Sequence, residues 1–209
     1  MNINKYSYSL IIYLIILVTN SWANVAVDKL IIIFLGPPGV GKSTQARLLS
    51  MDLNIPWISS GQLINNIGKQ DHAIKQTIQT GQLVSDQVIW DLMINRLQQA
   101  DCKKGYILDG FPRTEKLLEL FKSFESNRNF ILIKLELPFK ILNQRIIARN
   151  RIDDNNKALQ NRFNIYNNYT EPVEQYFINY HKFIKVNGCL PVNIINKQIL
   201  ININKALNL

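Results

Sequence analysis

Residues 29–44 read KLIIIFLGPPGVGKST, and the fold of the chain follows from how that stretch is taken. The apolar run Leu30, Ile31, Ile32, Ile33, Phe34 and Leu35 predicts a strand buried on both faces. A turn containing Gly36, Gly39 and Gly41 follows, and Lys42, Ser43 and Thr44 open a helix-compatible segment, TQARLLSMDL. The spelling is G-x-x-x-x-G-K-[ST] between strand and helix, the context in which such a loop cradles phosphate. Main-chain N–H groups converge on an anion only where side chains leave room, hence the glycines. The helix start adds unpaired donors and the positive end of its dipole. Gly39, Val40, Gly41, Lys42, Ser43 and Thr44 are therefore candidate nucleotide-binding residues. Lys42 supplies a point charge to the β- and γ-phosphates, and the Ser43 hydroxyl is placed to ligate Mg²⁺.

At 209 residues the chain has room for one sizeable core with small inserts. Its 24 basic and 15 acidic side chains give a formal charge of +9. That balance suits a polyanionic ligand, but the basic residues form no block resembling a nucleic-acid arm, so no nucleic-acid partner is expected. Residues 1–23 are read apart from the fold. Lys5 lies in a short polar start, residues 10–18 (LIIYLIILV) are apolar throughout, and Ser21 and Ala23 precede Asn24 at signal-peptidase spacing. The apolar run is short for a membrane span. A cleaved signal for export to the periplasm or outside is the first expectation, leaving no membrane span after cleavage. An uncleaved anchor and a mis-assigned start, which would leave a cytoplasmic protein, are the alternatives. Cys102 and Cys189 are far apart without metal-ligand spacing; export would allow them to pair, but buried thiols are the first expectation for both.

After the loop, residues 55–60 (IPWISS) read as a short strand and residues 62–80 as a weakly amphipathic helix. Ser85 or Asp86 caps a helix over 87–100, with Val88, Leu92 and Leu97 on one face. Residues 106–108 form a strand ending in Asp109-Gly110-Phe111-Pro112-Arg113. Thr114 caps a helix turning Leu117, Leu118, Leu120, Phe121 and Phe124 inward. Residues 130–137 are the next strand, and Pro138 starts a helix through Arg145 and Arg149. A long helix spans about 157–180, a last strand 183–186. Val192, Ile195, Ile199, Ile203 and Leu207 then mark a final amphipathic helix. Phe111 and Trp57 are assigned to the core. Strands alternating with helices imply an α/β fold: a parallel five-stranded sheet with helices on both faces and ligands at the strands' carboxyl ends.

The pieces GPPGVGKSTQA at 36–46, GQLVSD at 81–86, GYILDGFPRT at 105–114, RIDD at 151–154 and TEPVEQYF at 170–177 together resemble the adenylate kinase family of nucleoside monophosphate kinases. The resemblance covers the chain from residue 29 on. It implies a P-loop three-layer sandwich that transfers phosphate from Mg·ATP to AMP, giving two ADP. Residues 24–209 would form one kinase domain: a core of 29–59, 85–144 and 157–209, a monophosphate-binding insert of 60–84, and a very short lid of 145–156. Arg113 would grip the acceptor monophosphate, and Arg151 and Arg162 would bridge donor and acceptor phosphates. Arg149 would hold donor phosphates, Arg145 would pack on the donor base, and the backbone near Leu190 would touch the donor adenine. Ser60, Gln82, Leu83, Val84 and Gly110 would line the AMP site. Asp109 would organise Mg²⁺ and its waters, and Asp153 and Asp154 would steady the lid. No zinc is implied, since this lid lacks cysteines, and the protein is expected to be a monomer.

The chain departs from the family pattern in four places. Ser60-Gly61-Gln62-Leu63-Ile64-Asn65 stands where Thr-Gly-Asp-x-x-Arg is expected, so Asn65 replaces a phosphate-binding arginine. The segment between Gly61 and Gly81 is shorter, making Lys69 a candidate substitute. Leu117 replaces an amide that reads the acceptor base, and only Asn150 separates Arg149 from Arg151. These departures keep two alternatives open: a kinase for UMP, CMP or another monophosphate, and a nucleotide-binding relative with weak or no catalysis.

Overall fold

Apolar burial on both faces makes Leu30–Leu35 (β1) the axis of the molecule, with every one of its residues buried. The computed structural model describes residues 30–126, 129–149, 156–180 and 182–207. The leader, Asn150, Arg151, Asp153 and Asp154 lie outside the described residues, as does the side chain of Arg149. Among those described, Trp57–Ser59 (β2), Gly105–Asp109 (β3), Asn129–Glu136 (β4) and Lys182–Asn187 (β5) join β1 in a parallel five-stranded sheet of order β2-β3-β1-β4-β5. Phe34 pairs with Asp109 on one side and Ile133 on the other. This register brings the carboxyl end of β3 beside the loop that leaves β1.

Alternate side chains of β1 feed two apolar layers, as strand geometry requires. Leu30, Ile32 and Phe34 face Leu49 of Lys42–Leu53 (α1) and Ile195, Ile199 and Ile203 of the final helix. Ile31, Ile33 and Leu35 face Met93, Leu117, Phe121 and Phe177. Parallel strands covered by helices on both sides are the solution for a sheet this apolar.

The helices start and stop for local reasons. Pro56 and a capping Ser59, whose hydroxyl accepts from the Gln62 N–H at 3.4 Å, shorten β2 and start Ser60–Ile67 (α2) one residue later. The single helix expected over 62–80 is therefore two, α2 and His72–Gln79 (α3). Asp71 caps the second by accepting from the Ile74 N–H at 3.0 Å. Ser85 caps Asp86–Leu97 (α4), whose buried residues are Ile89, Met93 and Leu97 rather than Val88 and Leu92. Thr114 caps Glu115–Phe124 (α5) as predicted, burying Leu117, Leu118 and Phe121, while Leu120 and Phe124 remain partly exposed. Phe139–Arg149 (α6) follows Pro138. The long helix expected to 180 is Asn156–Ile165 (α7), a π turn over Tyr166–Thr170, and Glu171–Tyr180 (α8). Val192–Leu207 (α9) closes the fold. Among the described residues, no helix is long and apolar enough to cross a membrane.

Both cysteines are free, but only Cys102 is buried; Cys189 is exposed in the turn after β5, correcting the expectation for that residue. Burial pushes the Cys102 thiol up to about 11, which makes it unreactive at neutral pH.

Phe121 is fully buried and meets Phe111 edge-on and Phe130 at a tilt, each with ring centroids 5.5 Å apart. Phe121→Ala should therefore lower unfolding free energy by about 3–5 kcal/mol, measured by urea titration.

Candidate active site

The loop from Gly36 to Gly41 joins β1 to α1, and its backbone explains its composition. Gly41 precedes α1 at φ +106°, with no side chain capping the helix and no acidic residue in its first turn. The first N–H groups of α1 are thus left for an anion. Lys42 folds back on the loop, its ammonium donating to the Gly36 and Pro37 carbonyls at 2.8 Å each.

This loop forms one wall of an open cleft of about 1320 Å³. Gly39, Val40, Gly41, Lys42, Ser43 and Thr44 all line it. Across from them stand Ser60, Asn65, Gln82, Leu83 and Val84, and between the walls lie Asp109, Gly110 and Arg113. Arg145 and Arg162 reach the same cleft from α6 and α7. Lys42, Arg47, Arg113, Arg145 and Arg162 make five cations on it, against a single carboxylate, Asp109, among the described residues.

Specific contacts hold these groups. The Ser60 hydroxyl donates to the Gly110 carbonyl at 2.8 Å, and Arg113 Nε donates to the same oxygen at 2.7 Å. Thr170 Oγ1 donates to the Arg113 carbonyl at 3.3 Å. Burial pushes the Arg113 guanidinium below its ordinary value; the charge of Asp109 opposes that and the nearby charge of Arg162 adds to it. An arginine stays cationic through such a shift. Arg145 donates from Nη2 to the Gly188 carbonyl at 2.8 Å, which turns its guanidinium toward the β5–α9 turn. Asp109 is 4 % exposed, and its Oδ2 has no hydrogen-bond partner. A buried, unpartnered carboxylate oxygen beside a phosphate cradle fits a hydrated cation.

Such convergence of cations and main-chain donors suits a polyanionic phosphate ligand. A sequence model of the family described as Adenylate kinase matches residues 34–182. The chain belongs to the adenylate kinase family. It is 33% identical over 186 residues to the adenylate kinase of Trichodesmium erythraeum, covering 83% of this chain and 97% of that one. Adenylate kinase 1 of a Nostoc species is 36% identical over 168 residues, covering 75% and 89%. Adenylate kinase 1 of a Synechocystis species is 37% identical over 175 residues, covering 78% and 91%.

Against the adenylate kinase pattern, both altered acceptor positions, Asn65 and Leu117, face the cleft. Lys69 does not: it is exposed, with its ammonium 3.4 Å from the Asn66 side-chain oxygen. Leu190 is absent from the cleft walls and packs on the apolar layer between β1 and α9. Trp57, assigned to the core from sequence, is half-buried and lines the cleft, with the Arg47 guanidinium 5.5 Å from its ring centre. Arg47, Tyr166 and Thr170 are cleft residues that the sequence reading missed. No motif letter marks Arg47, and Tyr166 and Thr170 are brought to the cleft by the π turn.

Gly81 opens the acceptor wall at φ +69°, and a Cβ there would collide with the backbone of Ala158 in α7. Asn161 reinforces that contact by donating to the Thr80 carbonyl at 2.8 Å. Gly61 lies within α2, where a Cβ meets nothing nearer than Ser59 Oγ at 3.8 Å. Urea unfolding should show Gly81→Ala losing about 1–3 kcal/mol, while Gly61→Ala is neutral or gains up to about 1 kcal/mol.

Proposed function

We propose that this adenylate kinase family member transfers the terminal phosphoryl group of ATP to AMP, reversibly, giving two molecules of ADP. The observation that carries the reading is the gathering of Lys42, Arg113, Arg145 and Arg162 on one cleft, with the phosphate loop on one wall and Ser60 and residues 82–84 on the other. In the reaction a monophosphate oxygen of AMP forms a bond to the γ-phosphorus as the bond from that phosphorus to the β–γ bridging oxygen breaks. The acceptor oxygen is already unprotonated, so no general base is required, and catalysis rests on alignment and charge neutralisation.

Lys42 and the N–H groups of 39–44 bind the donor phosphates, and Arg145 flanks the donor base. Arg113, held on the Gly110 carbonyl, takes the acceptor phosphate. Arg162, with Arg151 and Arg149, meets the charge that spreads over the transferred group. Planar guanidinium forks suit that work because each grips two oxygens at once. Ser43 and Asp109 are the residues that would hold Mg²⁺, Asp109 through water, as its unpartnered Oδ2 supports. When bound there, Mg²⁺ would neutralise part of the charge on the donor phosphates.

A second reading, a kinase for UMP or CMP, draws on Leu117 and Asn65 in the acceptor wall. A coupled assay across AMP, UMP, CMP, GMP and dTMP separates the two. AMP should exceed each of the others in kcat/KM by at least about tenfold. A preference for UMP or CMP, or no ADP formed at any AMP concentration, would overturn the proposal.

The proposal includes export, from residues 1–23. Sequencing the N-terminus of the native product should find Asn24 first; retention of the leader would count against it.

A further inference from the structure

Glu174 is completely buried in α8, yet it sits beside the catalytic cleft rather than in it. Its Oε2 accepts from the Lys134 ammonium of β4 at 2.7 Å and from the Tyr166 hydroxyl at 3.0 Å. Its Oε1 has no hydrogen-bond partner and lies 4.0 Å from where a Cβ on Gly36 would stand, beneath the phosphate loop. A buried ion pair contributes little net stability after desolvation, and apolar side chains of similar size commonly do as well. A geometric role accounts for it better.

Tyr166 and Thr170 are the first and last residues of the π turn. The first is tied to Glu174, and the last donates to the carbonyl of Arg113. Arg162 lies four residues before Tyr166, one helical turn away, and both line the cleft. The π turn therefore connects the helix that carries Arg162 to the residue that bonds the Arg113 carbonyl. Burial is the main cause that pushes Arg113 below its ordinary value, and the like charge of Arg162 adds to it. A π turn holds one residue more than an α turn and persists only where its surroundings impose it. Relaxing it to regular helix would rotate α7 against α8 by about 100°, carrying Arg162 off the cleft.

We propose that Tyr166 is a positioning residue: its hydroxyl, anchored on the buried Glu174–Lys134 pair, holds the π turn and so sets the spacing of Arg113 and Arg162. This rests on the phosphoryl-transfer reading above. It adds a device anchored behind the cleft wall, on Glu174 and Lys134, that keeps two like charges in register for one transferred group.

The test compares the parent with Tyr166→Phe and with Lys134→Met/Glu174→Leu, which removes the acceptor of the hydroxyl while keeping the site packed. Each should unfold at the parental temperature and lose about tenfold in kcat with both KM values within about twofold. Adding Tyr166→Phe to Arg162→Lys should cost less than about twofold more, because the tyrosine acts through that arginine. Calorimetry with a bisubstrate compound, two adenosines joined through a pentaphosphate, should show about fivefold weaker binding to both variants and unchanged binding of ATP alone. Parental kcat and bisubstrate affinity in the folded variants, or a loss that multiplies fully with Arg162→Lys, would overturn the inference. If the parent forms no ADP from AMP, the functional reading fails by itself, and the bisubstrate affinities still decide the role of Tyr166.

Discussion

Holding cations together before their counter-ion arrives is the constraint around which this structure is built. Arg113 and Arg162 push against each other, Lys42 has turned onto the carbonyls of its own loop, and Arg145 leans on the Gly188 carbonyl. Main-chain oxygens, which carry no net charge, accept from Lys42, Arg113 and Arg145. A carboxylate at each position would have been a stronger partner and also a competitor for phosphate. Asp109 is the exception in the cleft, and its spare oxygen is the feature that fits a hydrated cation.

The rest of the fold serves that restraint. β1 is buried along its whole length, so its carboxyl end is fixed in space, and the phosphate loop leaves from a rigid point. The β1–β3 register puts Asp109 level with Phe34, and the Asp109–Arg113 turn carries Arg113 to the cleft a few residues farther. The acceptor wall is less tightly integrated: α2 has one fully buried residue and α3 has none. It is secured at Gly81, where the chain passes too close to Ala158 for any side chain.

Much of this could be read from the residues. An uninterrupted apolar run before a glycine turn has few folds available, and β1, the loop and α1 follow from it. The capping residues Ser85 and Thr114 announced their helices because a hydroxyl accepting an early N–H is a local event. What escaped was set by distant partners. The π turn depends on Glu174 and Lys134, separated by forty positions. Trp57 looked like core because large aromatic residues usually are, but as part of an edge strand it is half open to the cleft, where Arg47 covers it. Asn65 and Leu117 were recognised as departures, and both line the cleft.

The order of the strands carries a cost during synthesis. β1 is made first, but its two neighbours are β3 and β4, so Leu30 waits for Gly105 and Asn129 before it is covered. Until then a six-residue stretch, LIIIFL, is exposed with no charge and no proline, the composition most prone to pair with copies of itself. The segment that anchors the finished enzyme is thus an aggregation hazard in the nascent chain, and a growing polypeptide of this sequence needs chaperone shelter for it until the middle third has been translated.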